Sequence, residues 1–479
     1  MLQDADALPQ LIGDYKPLDQ WQTHLNQLFY GLRGDKLRSY YQTFASADFR
    51  LAHALAADYY ERVVKRDKAE NYQPSSVGRV TDDSRRLTVL ELGPGNGNLA
   101  ACFLSHLKAL DNQGAIYPRV QYVMVDWQQM VLDGALAHPD LVAHRDHLDA
   151  YRASSEDMAR IDEGTVDRII CNELWNDLPT KLLAKHGGEV EEEFIRPNLS
   201  ESLHAQIQDW STFVRAFQDK DLDALKTLPP FLDGLVWEKE YRKIDWKDVP
   251  YRKIIVEFLQ SIDQDVLVPV NVGAFATLKE AKRVLATDAI GFSAFDAGTA
   301  DMNVLNDPEK PCYGQFGGQY SFMINFALIE AVAKHVGMKQ TTFEPQREFV
   351  GRSLNTNVIT LMDLLATHPS AGPKLQPWEQ DRLVLKTIRA LNNTFESPYR
   401  RQLEFPLGTN IPPEERDTLG AIVRSLKDNG IPDTVAYLTE EELSDAQADL
   451  EEIGYDRHTM RMALSAPSGP VEYQHFACR

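Results

Sequence analysis

The run Leu87-Thr88-Val89-Leu90-Glu91-Leu92-Gly93-Pro94-Gly95-Asn96-Gly97-Asn98-Leu99 constrains the fold more than any other stretch of the 479 residues. An apolar run containing β-branched residues reaches an acid and breaks into three glycines at alternate positions. Apolar residues then recur at helical spacing (Leu99, Cys102, Phe103, Leu107, Leu110), so the stretch reads as strand, tight loop and helix. Glycines let such a loop turn sharply and let a ligand reach the main chain without meeting a Cβ. The helix packs one face on a sheet and aims its N-terminus at the loop, and Asp111-Asn112-Gln113-Gly114 ends it.

The spacing is Glu-x-Gly-x-Gly-x-Gly, not the G-x-G-x-x-G of a dinucleotide fingerprint. A carboxylate in front of the glycines suits a ligand with a cationic group nearby and repels pyrophosphate. The pattern resembles the S-adenosylmethionine sites of class I methyltransferases. A second strand, Val120 to Asp126, ends in an acid able to accept both ribose hydroxyls. Glu91, Gly93, Gly95, Gly97 and Asp126 are therefore the expected cofactor residues; solvated acids at strand ends are the plainer reading of Glu91 and Asp126.

A further strand, Val166 to Cys171, leads into Asn172-Glu173-Leu174-Trp175-Asn176-Asp177-Leu178-Pro179. Ligands of open parallel sheets bind beyond the carboxyl ends of the strands, so substrate chemistry is expected here. Methyl transfer is an in-line displacement that needs a positioned nucleophile and, where required, a base. Asn172 can accept a hydrogen bond from an amine, Glu173 or Asp177 can orient or deprotonate it, and Trp175 can face a cation. The alternative is that both acids open a helix and Trp175 fills core.

These motifs are similar to those of the MidA-type methyltransferases, whose mitochondrial members are complex I assembly factors described as protein arginine methyltransferases. Glu91 to Gly97 resembles the family's E-L-G-P-G-x-G, and Asn172, Glu173, Leu178 and Pro179 match its N-E-x-x-D-A-L-P. Phe295-Asp296-Ala297-Gly298 is similar to D-Y-G after the fifth strand, and Ile324-Asn325-Phe326 stands where the family has V-D-F. The family's second-motif acid falls on Asn176, with Asp177 one place later; Ala297 replaces a tyrosine and Asn325 an aspartate. The resemblance spans about residues 87 to 350. It implies a protein arginine acceptor. Asp296, at the end of the neighbouring strand, can support the substrate residues.

The expected fold is α/β: a Rossmann-like class I methyltransferase sheet with helices on both faces and helical additions at both ends. Residues 1–86 read as helical, with Leu51, Leu55, Tyr59 and Val63 on one face and a loop at 71–78, and suggest a lid beside the cofactor. Residues 87–350 form the methyltransferase domain, with a cap inserted at about 187–265, and residues 351–479 a helical docking or dimerisation region. Within the domain, Leu141 to His144 suggests a short third strand, and His144 and His147 read as surface residues. The acidic Glu189 to Glu193 reads as a solvated face. Leu278 to Leu285, Tyr320 to Gly337, Leu354 to Leu365, Trp378 to Leu391 and Pro413 to Asn429 read as helices. Thr341 to Val350 reads as antiparallel strands, Thr439-Glu440-Glu441-Glu442 as a capping box, and the tail Val471 to Phe476 as an added strand.

A net charge of −21 weighs against a nucleic-acid partner and fits a protein or small-molecule acceptor, particularly a basic one. The four scattered cysteines indicate neither zinc nor disulfides. No apolar run reaches a membrane span, and Met1 to Asp6 does not read as a signal peptide, so a cytoplasmic protein is expected. Two rival functions fit less of the sequence: a nicotinamide-dependent oxidoreductase, and a non-catalytic assembly factor that retains the cofactor pocket.

Overall fold

The computed structural model describes residues 10–34, 43–70, 86–371, 375–399, 411–427, 430–465 and 471–479, with 403, 405, 407 and 408; the expected loop at 71–78 lies outside them. Its centre is a sheet of β1 (Leu87–Leu92), β2 (Val120–Asp126), β3 (Leu148–Arg152), β4 (Arg168–Asn172), β5 (Gly291–Thr299), β6 (Thr341–Pro345) and β7 (Glu472–Cys478). The order across it is β3-β2-β1-β4-β5-β7-β6, and the short strand Ile324–Asn325 pairs with β5. Only β7 runs antiparallel to its neighbours among these strands. The order reverses between β1 and β4, which makes the carboxyl ends of these two strands the expected ligand crevice.

β1, β2 and β4 are nearly continuous apolar runs because both sheet faces are covered. One face packs under α2 (Arg50–Ala69), α3 (Asn98–Leu110) and the C-terminal helices, α1 being Leu18–Arg33. The other face packs under Arg252–Gln260, Val272–Val284 and Phe326–His335. The predicted stripe of α2 is buried, with Leu51, Leu55, Tyr59 and Val63 each fully enclosed.

The insertion builds a second, antiparallel sheet. Glu189–Leu199 pairs with Lys181–His186, Leu235–Lys243 and the short N-terminal strands Gln10–Leu11 and Lys16–Pro17, while Leu267–Val270 extends the far edge. α1 lays Trp21, Leu25, Leu28 and Phe29 into a core shared with Leu182, Ile195 and Phe217. The acidic opening is only partly a solvated face: Glu192 pairs with the Lys181 ammonium at 2.6 Å, and Glu193 is fully buried against Tyr241 and Lys239.

Several expected elements shift. Leu141 to His144 lies in a 3-10 segment, Pro139–His147, and the third strand follows it. His144 is buried between the Ser105 and Tyr117 hydroxyls at 3.0 and 2.6 Å, not at the surface. The helix expected from Tyr320 starts at Phe326, because Gln319–Phe322 folds back on Tyr313–Phe316 around Gly317 and Gly318. Beyond Pro345 the chain is helical over Gln346–Leu354, where a second antiparallel strand was expected. Strand Val358–Thr360 and a capping box at Thr360 interrupt the next predicted helix. The Thr439 capping box forms as expected, and the tail strand inserts between β5 and β6. Among the described residues no helix is long and apolar enough to cross a membrane, and no cluster of three metal-ligating side chains forms.

Candidate active site

All three loop glycines after β1 have left-handed backbones, with φ of 71° at Gly93, 53° at Gly95 and 79° at Gly97. Side chains disfavour that region, so the residue choice follows from the turn. The Gly93 N–H donates to the Val125 carbonyl at 2.9 Å, and that of Gly97 to the Pro94 carbonyl at 2.9 Å. A Cβ on Gly97 would stand 2.5 Å from the Ala135 carbonyl oxygen, whereas one on Gly95 would meet nothing within 4 Å. One side of the loop is thus packed against protein and the other is open.

The loop is tied to the N-terminal region. Asn98 donates to the carbonyls of Ala45 and Asp48 at 2.6 and 3.0 Å, and Asn96 to that of Ser46 at 3.0 Å. The short helix Phe44–Ala47 therefore borders the crevice.

Glu91 is 3% exposed and accepts a hydrogen bond from the Tyr122 hydroxyl at 3.0 Å; burial pushes its carboxyl up to about 7, against that bond. Asp126 closes β2, takes the Gln128 N–H at 2.8 Å, and is raised by burial to about 6. Trp127, directly after it, is 42% exposed.

Beyond β4 the backbone of Glu173 is left-handed (φ 47°), and its N–H donates to the Phe295 carbonyl at 2.7 Å. Few side chains occupy that region, and such strain concentrates at functional sites. Its Oε1 accepts the Phe44 N–H at 3.1 Å. Asp177 takes the Tyr30 hydroxyl on one oxygen and the Gln319 amide at 2.6 Å on the other; burial raises its carboxyl to about 7. Asp296, at the end of β5, is fully buried and raised well above the carboxylate range by burial and by Glu173. It accepts the backbone N–H groups of Asn176 at 3.1 Å and Ala297 at 2.9 Å, and so fixes the 172–177 segment to β5. Buried Asn172 Oδ1 has no hydrogen-bond partner.

The end of β4 and the turn after it thus hold Asn172, Glu173 and Asp177 close to Asp296, while Glu91, the glycines and Asp126 sit at the ends of β1 and β2. Trp175 is different: it is fully buried and stacks on Phe292 at 5.4 Å, so it fills core and does not face a ligand. Asn325 caps its helix by accepting the Leu328 N–H at 3.2 Å. Ala297 lies opposite Tyr473 of β7. Tyr122, Tyr30, Gln319 and Tyr473 were not foreseen. For Tyr122, period-two alternation together with the β1–β2 register would have placed it on the face of Glu91.

Residues 76–238, about a third of the chain, match a family model described as "Putative S-adenosyl-L-methionine-dependent methyltransferase". The match spans β1 to β4 and most of the insertion, and it agrees with a methyltransferase that uses S-adenosylmethionine. No curated protein matches. Among solved structures, a Burkholderia thailandensis protein bound to S-adenosyl-homocysteine is 14% identical and aligns over 71% of this chain and 76% of that one, with a TM-score of 0.46. A native structure of a Burkholderia thailandensis protein, of the same superfamily as that neighbour, is 15% identical over 74% of this chain and 78% of that one, with a TM-score of 0.42. An S-adenosylmethionine-dependent methyltransferase from Aquifex aeolicus is 10% identical over 59% and 80%, with a TM-score of 0.25.

Proposed function

We propose that the chain transfers a methyl group from S-adenosylmethionine to a nitrogen of a cationic acceptor, an arginine side chain of a protein being the first candidate. One observation carries this reading. Glu91, Asp126, Asp177 and Asp296 gather at the carboxyl edge of the sheet, burial raises all four, and N–H and O–H donors oppose the shift at each. Carboxylates desolvated in this way favour an incoming cation. The resemblance to the MidA-type methyltransferases supports the same acceptor.

The residues present fit the cofactor, since Gly95 is open to a ligand and carries no side chain to obstruct it. Gly93, Gly95 and Gly97 would admit it to the main chain, Glu91 would face its ammonium and Asp126 its ribose. Exposed Trp127 offers the base a flat apolar surface. Bound there, the cofactor supplies an electrophilic methyl group on a sulfonium. The chain does the rest: Asn172 Oδ1 accepts an N–H of the acceptor, Glu173 orients it, and Asp177 takes the proton released as the N–CH3 bond forms.

Calorimetry on the pure protein with S-adenosylmethionine and its demethylated product tests the cofactor. Binding lost in Asp126→Ala supports the reading; no heat with either compound overturns it. Labelled S-adenosylmethionine and cell extract should give methylated arginine, abolished in Glu173→Ala.

A second reading, a non-catalytic assembly factor, draws on the Tyr30, Gln319 and Phe44 groups that already occupy the substrate acids. Cofactor binding without label transfer in any extract would favour it. No observation favours the nicotinamide alternative, and a thermal shift with NAD but not S-adenosylmethionine would revive it.

A further inference from the structure

We infer that Phe44, Tyr437 and Tyr473 wall a seat for an N–H-bearing organic cation against Glu173, and that Tyr473 positions that cation. The inference rests on the methyltransferase reading, whose acceptor the seat would receive.

The rings come from three distant parts of the chain. Phe44 stacks on Tyr437 with centroids 4.9 Å apart and planes 17° apart, and meets Tyr473 edge-on at 4.9 Å. Glu173 lies among them: its Oε1 takes the Phe44 N–H at 3.1 Å, and its charge raises both phenols. A carboxylate ringed by aromatic groups attracts a cation twice over, through charge and through the ring faces.

An independent observation points to N–H groups on the ligand. Asn172 is 9% exposed and its Oδ1 is buried without a donor. Register places Asn172 opposite Phe295, and Phe295 opposite His475, so these side chains share a sheet face that Tyr473 rejoins two residues along β7. The orphaned oxygen therefore sits on the face from which the Tyr473 ring projects. An acceptor left without a donor in a buried site is met by a ligand that brings one. An aliphatic carbon acceptor would leave it unmet.

Access follows from exposure. Phe44, Tyr437, Glu173 and Asp296 are buried, whereas the cross-strand partners Ala297 and Tyr473 are half-buried and form the rim.

The test uses the full chain saturated with S-adenosylhomocysteine and calorimetric titration of Nα-acetyl-arginine amide, Nα-acetyl-lysine amide and neutral Nα-acetyl-glutamine amide. The cationic probes should bind and the neutral one should not; a stronger response to the arginine probe would assign the guanidinium as the preferred cation. Tyr473→Phe, which keeps the ring and loses the hydroxyl, should weaken the cations about threefold. Tyr473→Ala should weaken them at least about tenfold, with S-adenosylhomocysteine affinity unchanged in both. Cations that bind no better than the neutral probe overturn the seat, as does Tyr473→Ala with unaltered cation affinity. If Tyr473→Ala also loses S-adenosylhomocysteine, Tyr473→Phe decides. An unaltered chain that fails to bind S-adenosylhomocysteine defeats the underlying cofactor reading instead.

Discussion

The Tyr122 hydroxyl on β2 donates to Oε2 of Glu91 on β1 at 3.0 Å, under the face covered by α2 and α3. Because burial lifts the Glu91 carboxyl to about 7, the folded chain holds this proton more tightly than the unfolded chain does. The resulting stability is complete below the ordinary carboxylate range and is lost as pH rises through about 7. Glu91→Gln should therefore lose less stability than the native sequence between pH 5 and pH 8, by up to about 3 kcal/mol. Denaturant unfolding at the two pH values reads the difference. If charged Glu91 meets the cofactor ammonium, S-adenosylmethionine affinity should run the other way, rising toward pH 8 in the native sequence and less so in Glu91→Gln.

The glycine loop separates folding from binding. Gly97→Ala forces a Cβ to 2.5 Å from the Ala135 carbonyl oxygen on a left-handed backbone, so a large drop in melting temperature is expected. Gly95→Ala meets no neighbour within 4 Å and should cost only the left-handed backbone penalty, about 1–2 kcal/mol. Its Cβ enters the open side of the loop, so S-adenosylmethionine affinity should fall by an order of magnitude or more, about 1.4 kcal/mol for each factor of ten. Thermal melts and calorimetry on the same two variants distinguish the effects.

What the sequence displays depends on how local the cause is. The β1 loop is legible because three left-handed glycines and a doubly buried strand leave their marks within a dozen residues. β3 is not: Leu148–Arg152 lies at the sheet margin with mostly exposed side chains, so the weak apolar signal fell instead on Leu141 to His144. Trp175 sits between acids in the sequence, yet the 3-10 turn Trp175–Asp177 rotates it into the core and leaves Asp177 at the crevice. The partners of the acids are hidden for another reason. Tyr30 and Gln319 lie 147 and 142 residues from Asp177, and only the folded topology unites them. Likewise the tail reads as a strand, but its place between β5 and β6 is a non-local pairing.

Asp177 joins α1 to the hairpin after β5 through Tyr30 and Gln319, and its carboxyl near 7 is poised to take a proton at neutral pH. Asp177→Asn removes the base but keeps a side chain that can meet both partners. Turnover should fall by about two orders of magnitude or more, while S-adenosylmethionine binding stays close to native. Tyr30→Phe deletes a donor that lowers the Asp177 carboxyl, so that carboxyl should rise further and the acid limb of the rate profile should move to higher pH. Single-turnover rates with labelled cofactor across pH 6 to 9 check both expectations.

β7 is held in the sheet by a buried chain of polar contacts. Arg168 donates to Ser293 Oγ at 2.8 Å, Ser293 Oγ lies 2.9 Å from His475 Nε2, and His475 Nδ1 lies 3.1 Å from Glu344 on β6. Burial lowers the His475 pKa below its ordinary value, with Glu344 opposing. The folded chain thus holds that proton less tightly than the unfolded chain, so the stability linked to neutral His475 is present above the ordinary histidine range and is lost as pH falls through it. The native sequence should lose stability between pH 7.5 and pH 5, and His475→Gln, which has nothing to titrate, should lose less over the same interval while starting lower. Deleting residues 471–479 removes the strand itself and leaves β5 and β6 with facing unpaired edges, so an aggregating product is expected. Unfolding curves at the two pH values, with light scattering on the truncated chain, decide whether β7 is integral to the sheet; equal pH slopes for the native sequence and His475→Gln would show that His475 does not set this dependence.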